Sequence, residues 1–141
     1  MKSKLFVTGL ILSLFFIIGA SLYAQNPFDV KIVTVTAKAA PDSLIPGSTA
    51  NIEITAQIEP GFHINSNHPT EEYLIPTVVK FEPIDGVNLG EIKYPPAKEA
   101  KFSFSEELLS VFEGKIVVKA SAEITPTVAL GKQVLRGSFS F

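Results

Sequence analysis

His63 and His68 are the only histidines of this 141-residue chain, and no cysteine accompanies them. They bracket Asn65-Ser66-Asn67, and Glu71 and Glu72 follow closely. A zinc site needs three or four converging ligands, and this spacing matches no established ligand pattern. The two histidines are therefore expected to be solvated or hydrogen-bonding loop residues, with no metal. The adjacent pairs Glu71-Glu72 and Glu106-Glu107 make poor acid/base partners, because neighbours in an extended chain point to opposite faces. No Gly-x-Ser-x-Gly, phosphate-binding loop or dinucleotide fingerprint occurs, and the serines lack a triad context. Neither catalysis by this chain alone nor a cofactor is expected. Without cysteine, a structural disulfide, a thiolate metal site and thiol redox chemistry within these residues are excluded.

Phe102 and Phe104 are the other side chains that stand out. They alternate with Lys101, Ser103 and Ser105 in a polar stretch. Leaving a phenylalanine in water rather than burying it costs about 2 kcal/mol. Two readings stay open: core packing of a short strand, which composition favours, or an aromatic flap over something that needs shielding.

The elements that must position these residues read as strands. Gly61 to Phe81, GFHINSNHPTEEYLIPTVVKF, organises the chain. It opens on the Pro60-Gly61 turn, places Phe62 and Ile64 in a short strand, loops from Asn65 to Glu72, and closes on an extended piece from Tyr73 to Phe81. Ala50 to Ile58 alternates strictly, with Ala50, Ile52, Ile54, Ala56 and Ile58 on one face. Lys115 to Ile124 does the same with Ile116, Val118, Ala120, Ala122 and Ile124. A period of two over such lengths is a strand with one wet face. Val30 to Ala37 is a further strand whose alternation slips at Val33, as at a bulge or in a two-sided strand, and Ala39 to Ser48 is a turn region. Val87 to Leu89, Ile92 to Tyr94 and Val134 to Phe141 are also extended. No segment after the first sustains a 3.6-residue apolar stripe; Ser105 to Phe112 offers two helical turns at most. Short strands between Pro/Gly turns predict an all-β antiparallel sandwich.

The first segment reads as a signal peptide. Lys2 and Lys4 precede the apolar run Leu5 to Ile18, which is too short to span a bilayer at about 20 residues, and small residues follow. Residues 1–24 are expected to be removed, leaving 25–141 as one exported domain, periplasmic or on the cell surface. The formal charge is −2, and it becomes −4 without the two lysines of that segment. Basic residues are scattered singly, so nucleic acid is not an expected partner. The alternation is still running at Phe141, and the chain is expected to be a C-terminally incomplete piece of a longer protein.

Gly61-Phe62-His63-Ile64, Ile75-Pro76-Thr77, Tyr94-Pro95-Pro96 and Val111-Phe112-Glu113-Gly114, in that order, resemble the N-terminal periplasmic domain of DsbD-type thiol:disulfide interchange proteins, the disulfide bond corrector family. The resemblance covers roughly Val30 to Phe141. It implies an immunoglobulin-like antiparallel β-sandwich that acts as a thiol:disulfide reductase domain. Such a domain passes reducing equivalents from a membrane-embedded redox domain to periplasmic thioredoxin-fold thiol proteins, including those of cytochrome c biogenesis. It also implies a cap loop, by position Lys98 to Glu107, with Phe102 or Phe104 shielding a cysteine pair. That pair is absent here. The expectation is therefore a relay domain truncated before its cysteines, monomeric and with no catalytic residue of its own. The rival is a non-catalytic exported immunoglobulin-like module for adhesion, carbohydrate binding or structural support.

Overall fold

A computed structural model describes residues 31–141; the expected signal segment and the residues up to Val30 lie outside the described part. Nine strands and no helix occur among the described residues: β1 (Val33–Ala40), β2 (Thr49–Ile58), β3 (Ile64–Asn65), β4 (Val78–Phe81), β5 (Val87–Leu89), β6 (Lys98–Lys101), β7 (Leu108–Phe112), β8 (Lys115–Ile124) and β9 (Gly137–Ser140). The all-β antiparallel architecture expected from the turn-punctuated alternation is the one found.

The two strictly alternating segments build the core. β2 and β8 pair antiparallel from Thr49↔Glu123 to Gln57↔Lys115. Every residue the alternation assigns inward on them is buried: Ala50, Ile52, Ile54, Ala56 and Ile58 on β2, and Ile116, Val118, Ala120, Ala122 and Ile124 on β8. β1 and β5 flank this pair, giving the order β1-β2-β8-β5. The opposing layer holds β3-β7-β6 and β4-β9. Val79, Phe81, Leu135 and Phe139 pack against the β2–β8 centre, while Ile64 and Phe112 pack at its other end against Val33, Ala56 and Ile58.

β3 and the lead into β4 are stitched together rather than paired over a length. Thr77 N donates to the Ser66 carbonyl at 3.0 Å, and the fully buried Thr77 hydroxyl donates to the Asn65 carbonyl at 2.5 Å. The Ser66 and Ser110 hydroxyls meet at 2.8 Å, and Thr70 Oγ1 donates to the Leu108 carbonyl at 3.0 Å while accepting from Ser110 N. These bonds hold the 66–77 loop against β7 and leave no buried side-chain polar atom unpaired among the described residues.

Several boundaries differ from expectation. β1 runs from Val33 to Ala40, so it starts later, needs no bulge at Val33 and extends into the expected turn region. Its register with β2, Val33↔Ile58 to Ala40↔Asn51, carries the weakly patterned Ala-Lys-Ala-Ala segment along. A Lys38–Glu53 ion pair at 2.9 Å crosses that ladder, and the hydrogen bond from Lys38 lowers the Glu53 pKa. The Phe62–Ile64 strand shrinks to Ile64–Asn65, and the Tyr73–Phe81 piece is strand only from Val78, because Pro76 and the hydroxyl stitches take the preceding residues. The last strand is Gly137–Ser140. Gly137 is required there: a Cβ would lie 2.7 Å from the Lys80 carbonyl and 3.0 Å from the Phe81 ring.

The alternation has a direct consequence for stability. Ile54→Ala, from the buried face of β2, should lower the unfolding free energy by about 2–5 kcal/mol. Asn51→Ala, on the wet face of the same strand, should change it by about 0.5 kcal/mol or less. Urea denaturation midpoints of the two variants check this.

Candidate functional site

The stretch expected to form a cap loop is half strand. Lys98–Lys101 is β6 and pairs with β7 from Lys98↔Val111 to Lys101↔Leu108. The loop proper is the hairpin tip 102–107. It turns on a bond from Ser105 N to the Phe102 carbonyl at 3.1 Å, and the Ser105 hydroxyl donates to the Glu107 carbonyl at 2.9 Å. Lys101 Nζ reaches the Glu106 carbonyl across the tip. At the base of the hairpin Lys98 and Glu113 form an exposed ion pair at 3.3 Å.

The two phenylalanines lie outside the sandwich. Phe102 is half-buried and Phe104 is 72% exposed. Their rings stack on each other, with centroids 5.2 Å apart and planes 18° apart. Phe102 also stacks on the His63 imidazole, at 4.1 Å and 28°. The three rings form a column, His63–Phe102–Phe104, that pins the tip to the residue just before β3. Core packing, the reading composition favoured, is not what these phenylalanines do. The two phenylalanine rings lie at the surface, stacked over the His63 imidazole.

Two open grooves meet at His63. One, of about 440 Å³, lies under Phe102 and is lined by Ile58, Pro60, Phe62, Lys98 and Glu113 among others. The other, of about 430 Å³, is lined by Ile32, Tyr73, Ile75 and Phe141. Phe62, Tyr73, Ile75, Leu108 and Phe104 are all exposed, so this end of the molecule carries a concentration of uncovered apolar rings and chains. Exposed apolar groups gathered in this way mark an interaction surface more often than scattered single residues do.

The other candidate residues are placed apart. His63 is engaged in the ring column, and the backbone N–H of His68 donates to Ser66 Oγ at 3.1 Å. Among the described residues no three His, Cys, Asp or Glu side chains converge. Glu106 and Glu107 sit exposed on the hairpin tip. Two elements of this end are not legible in the sequence. The spacing of His63 suggests a ligand, whereas its ring stacks on Phe102. The hydroxyls of Ser66, Thr70, Thr77 and Ser110, which fix the loop beside it, are far apart in sequence. No protein-family model, curated protein or solved structure matches this chain.

The geometry predicts how the tip is held. An aromatic pair contributes about 0.5–1.5 kcal/mol beyond burial. Phe102→Ala removes both contacts of the column and should speed amide hydrogen exchange across residues 103–107 at least severalfold, while the exchange of β2 and β8 stays unchanged. Phe104→Ala, which removes only the outer ring, should leave the melting temperature nearly unaltered.

Proposed function

We propose that this chain is an exported immunoglobulin-like domain of a thiol-disulfide relay, in which the β6–β7 hairpin tip is the surface that meets thioredoxin-fold thiol proteins. The observation that carries the proposal is the His63–Phe102–Phe104 column: an aromatic cover held outside the core by weak ring contacts, on the stretch where the family resemblance implies a cap loop.

Strand order supports the immunoglobulin-like assignment. In such sandwiches one sheet carries the first, second, fifth and fourth strands in the order A-B-E-D, and the third and sixth, C and F, pair in the other. Taking β1, β2, β5 and β8 as A, B, D and E reproduces that order, with β4 and β9 as C and F. The β6–β7 hairpin is then an insertion between D and E. Its tip can be displaced without breaking a sheet, since it is held mainly by stacking and by turn hydrogen bonds.

Exchange itself needs a thiolate. With no cysteine among the 141 residues, the part of the relay present here is docking and shielding, and the sulfurs must come from polypeptide outside these residues. The same absence favours the second reading, a non-catalytic exported binding module that uses the same aromatic end.

The full-length gene product, with whatever cysteines it carries, separates the two. Incubated in reduced form with a thioredoxin-fold protein whose resolving cysteine is replaced by serine and whose remaining cysteine is activated as a thionitrobenzoate disulfide, it should form a mixed disulfide as its thiolate displaces thionitrobenzoate. Phe104→Ala should change the rate of that adduct at least about threefold, which is under 1 kcal/mol of activation energy. Failure to form any adduct would rule out the relay and leave the binding module.

A further inference from the structure

The wet face of the four-stranded sheet carries charges in an arrangement that costs the sheet stability. On β8 the residues between the buried ones point outward, Lys115 and Lys119 among them. Lys119 lies opposite Glu53 of β2, and Glu53 lies opposite Lys38 of β1. On its other side Lys119 faces Lys93, in the segment that follows β5. Lys93 N donates to the Lys119 carbonyl at 2.7 Å, and Lys119 N donates to the Lys93 carbonyl at 2.9 Å. Residues that exchange both bonds stand directly opposite, with their side chains on one face. A row Lys38–Glu53–Lys119–Lys93 therefore crosses the sheet, and Lys115 stands on the same face.

Like charges directly opposite each other in an antiparallel pair are destabilising. Here one carboxylate serves the whole cluster. Glu53 is bonded to Lys38 at 2.9 Å, and Lys38 first, then Lys119 and Lys115, lower its pKa. Lys93, Lys115 and Lys119 have no ion-pair partner among the described residues. Glu123 stands at the far end of the face, opposite Asn88 and Thr49, and the exposed Glu91 borders it. The chain has 12 basic and 14 acidic side chains; without Lys2, Lys4 and Asp29, residues 31–141 hold 10 and 13. The lysine cluster thus runs against the net charge of its own domain.

We propose that this face lies against an anionic phospholipid bilayer. The proposal rests on sheet register and charge and not on the function proposed above. Around the lysines the face presents short uncharged groups, Thr34, Thr36, Asn51, Thr55, Gln57 and Ser121. It holds no aromatic ring and no exposed large apolar side chain. That composition separates the candidate occupants. Protein interfaces are depleted in Lys and Ser and are anchored by aromatic groups or Arg. Single-stranded nucleic acid is held by stacking on aromatic rings. A planar array of phosphate headgroups needs only lysine point charges on a flat surface. The acids of the opposite layer stand at least one sheet spacing away, about 10 Å. That matches the Debye length of about 10 Å at 0.1 M salt, so they weaken the attraction without cancelling it.

Cosedimentation of the purified exported chain, residues 25–141, with vesicles of equal parts phosphatidylcholine and phosphatidylglycerol tests this. Binding is expected at low ionic strength, lost at about 1 M salt, where the Debye length is about 3 Å. None is expected with phosphatidylcholine alone. Lys93→Gln combined with Lys115→Gln and Lys119→Gln should weaken binding at least about tenfold, since each lysine near an anionic surface contributes about fivefold. The same variant should keep or raise the urea midpoint, because Lys93→Gln removes the opposed like charges. Lys80→Gln with Lys132→Gln, away from this face, should bind as the wild type does. A chain that ignores these vesicles, or whose binding survives high salt or the triple substitution, would overturn the proposal. Capture of polyglutamate without vesicle binding would overturn it too, and would assign the face to an acidic protein.

Discussion

The antiparallel ladder between β2 and β8 is the constraint on which the rest depends. Its register puts alternating small and branched side chains from both strands on one face, and that face is buried almost completely. A slip of one residue would turn every one of these side chains to solvent. The ladder therefore decides which way β1 and β5 face as they add to it, and which face the β4–β9 and β3–β7 strands must cover. Ala50, Ala56, Ala120 and Ala122 leave room for the larger Phe112, Phe81 and Phe139 of the opposing layer.

The candidate site lies where that core stops. The β6–β7 hairpin extends past the sandwich, and its two phenylalanines find only each other and His63. Such contacts are worth little beside the burial of a core side chain, so they order the tip without locking it. The 66–77 loop, which follows β3 as His63 precedes it, is held by hydroxyl bonds among Ser66, Thr70, Thr77 and Ser110. A weakly held aromatic tip is what the docking proposed for this end requires.

The parts of this fold legible in the sequence are those where periodicity and burial coincide. β2 and β8 show it residue for residue; β7 does not, since Ser105 to Phe112 offered two helical turns at most and becomes strand from Leu108 by pairing with β3 and β6. β1 was displaced because Ala37 to Ala40 carries almost no pattern of its own and takes its conformation from β2. The pieces around Pro69 and Pro76 were overextended because the local backbone bonds to hydroxyls distant in sequence, which no periodicity reveals. In the site, Phe102 and Phe104 were singled out, but whether they faced core or solvent depends on where β6 ends, at Lys101. The part played by His63 lay hidden because an imidazole next to acids and asparagines suggests ligation, and its ring partner is some forty residues away.

The most direct measure of the central claim, a cover that rests on His63 and lifts for a partner, is the NMR spectrum of the His63 ring during titration with a thioredoxin-fold thiol protein. The account predicts ring protons shifted upfield by the stacked Phe102, with cross-relaxation to that ring, and loss of both as the partner saturates the domain. An unshifted His63 in the free domain, or a stacked His63 that a bound partner leaves undisturbed, would contradict it.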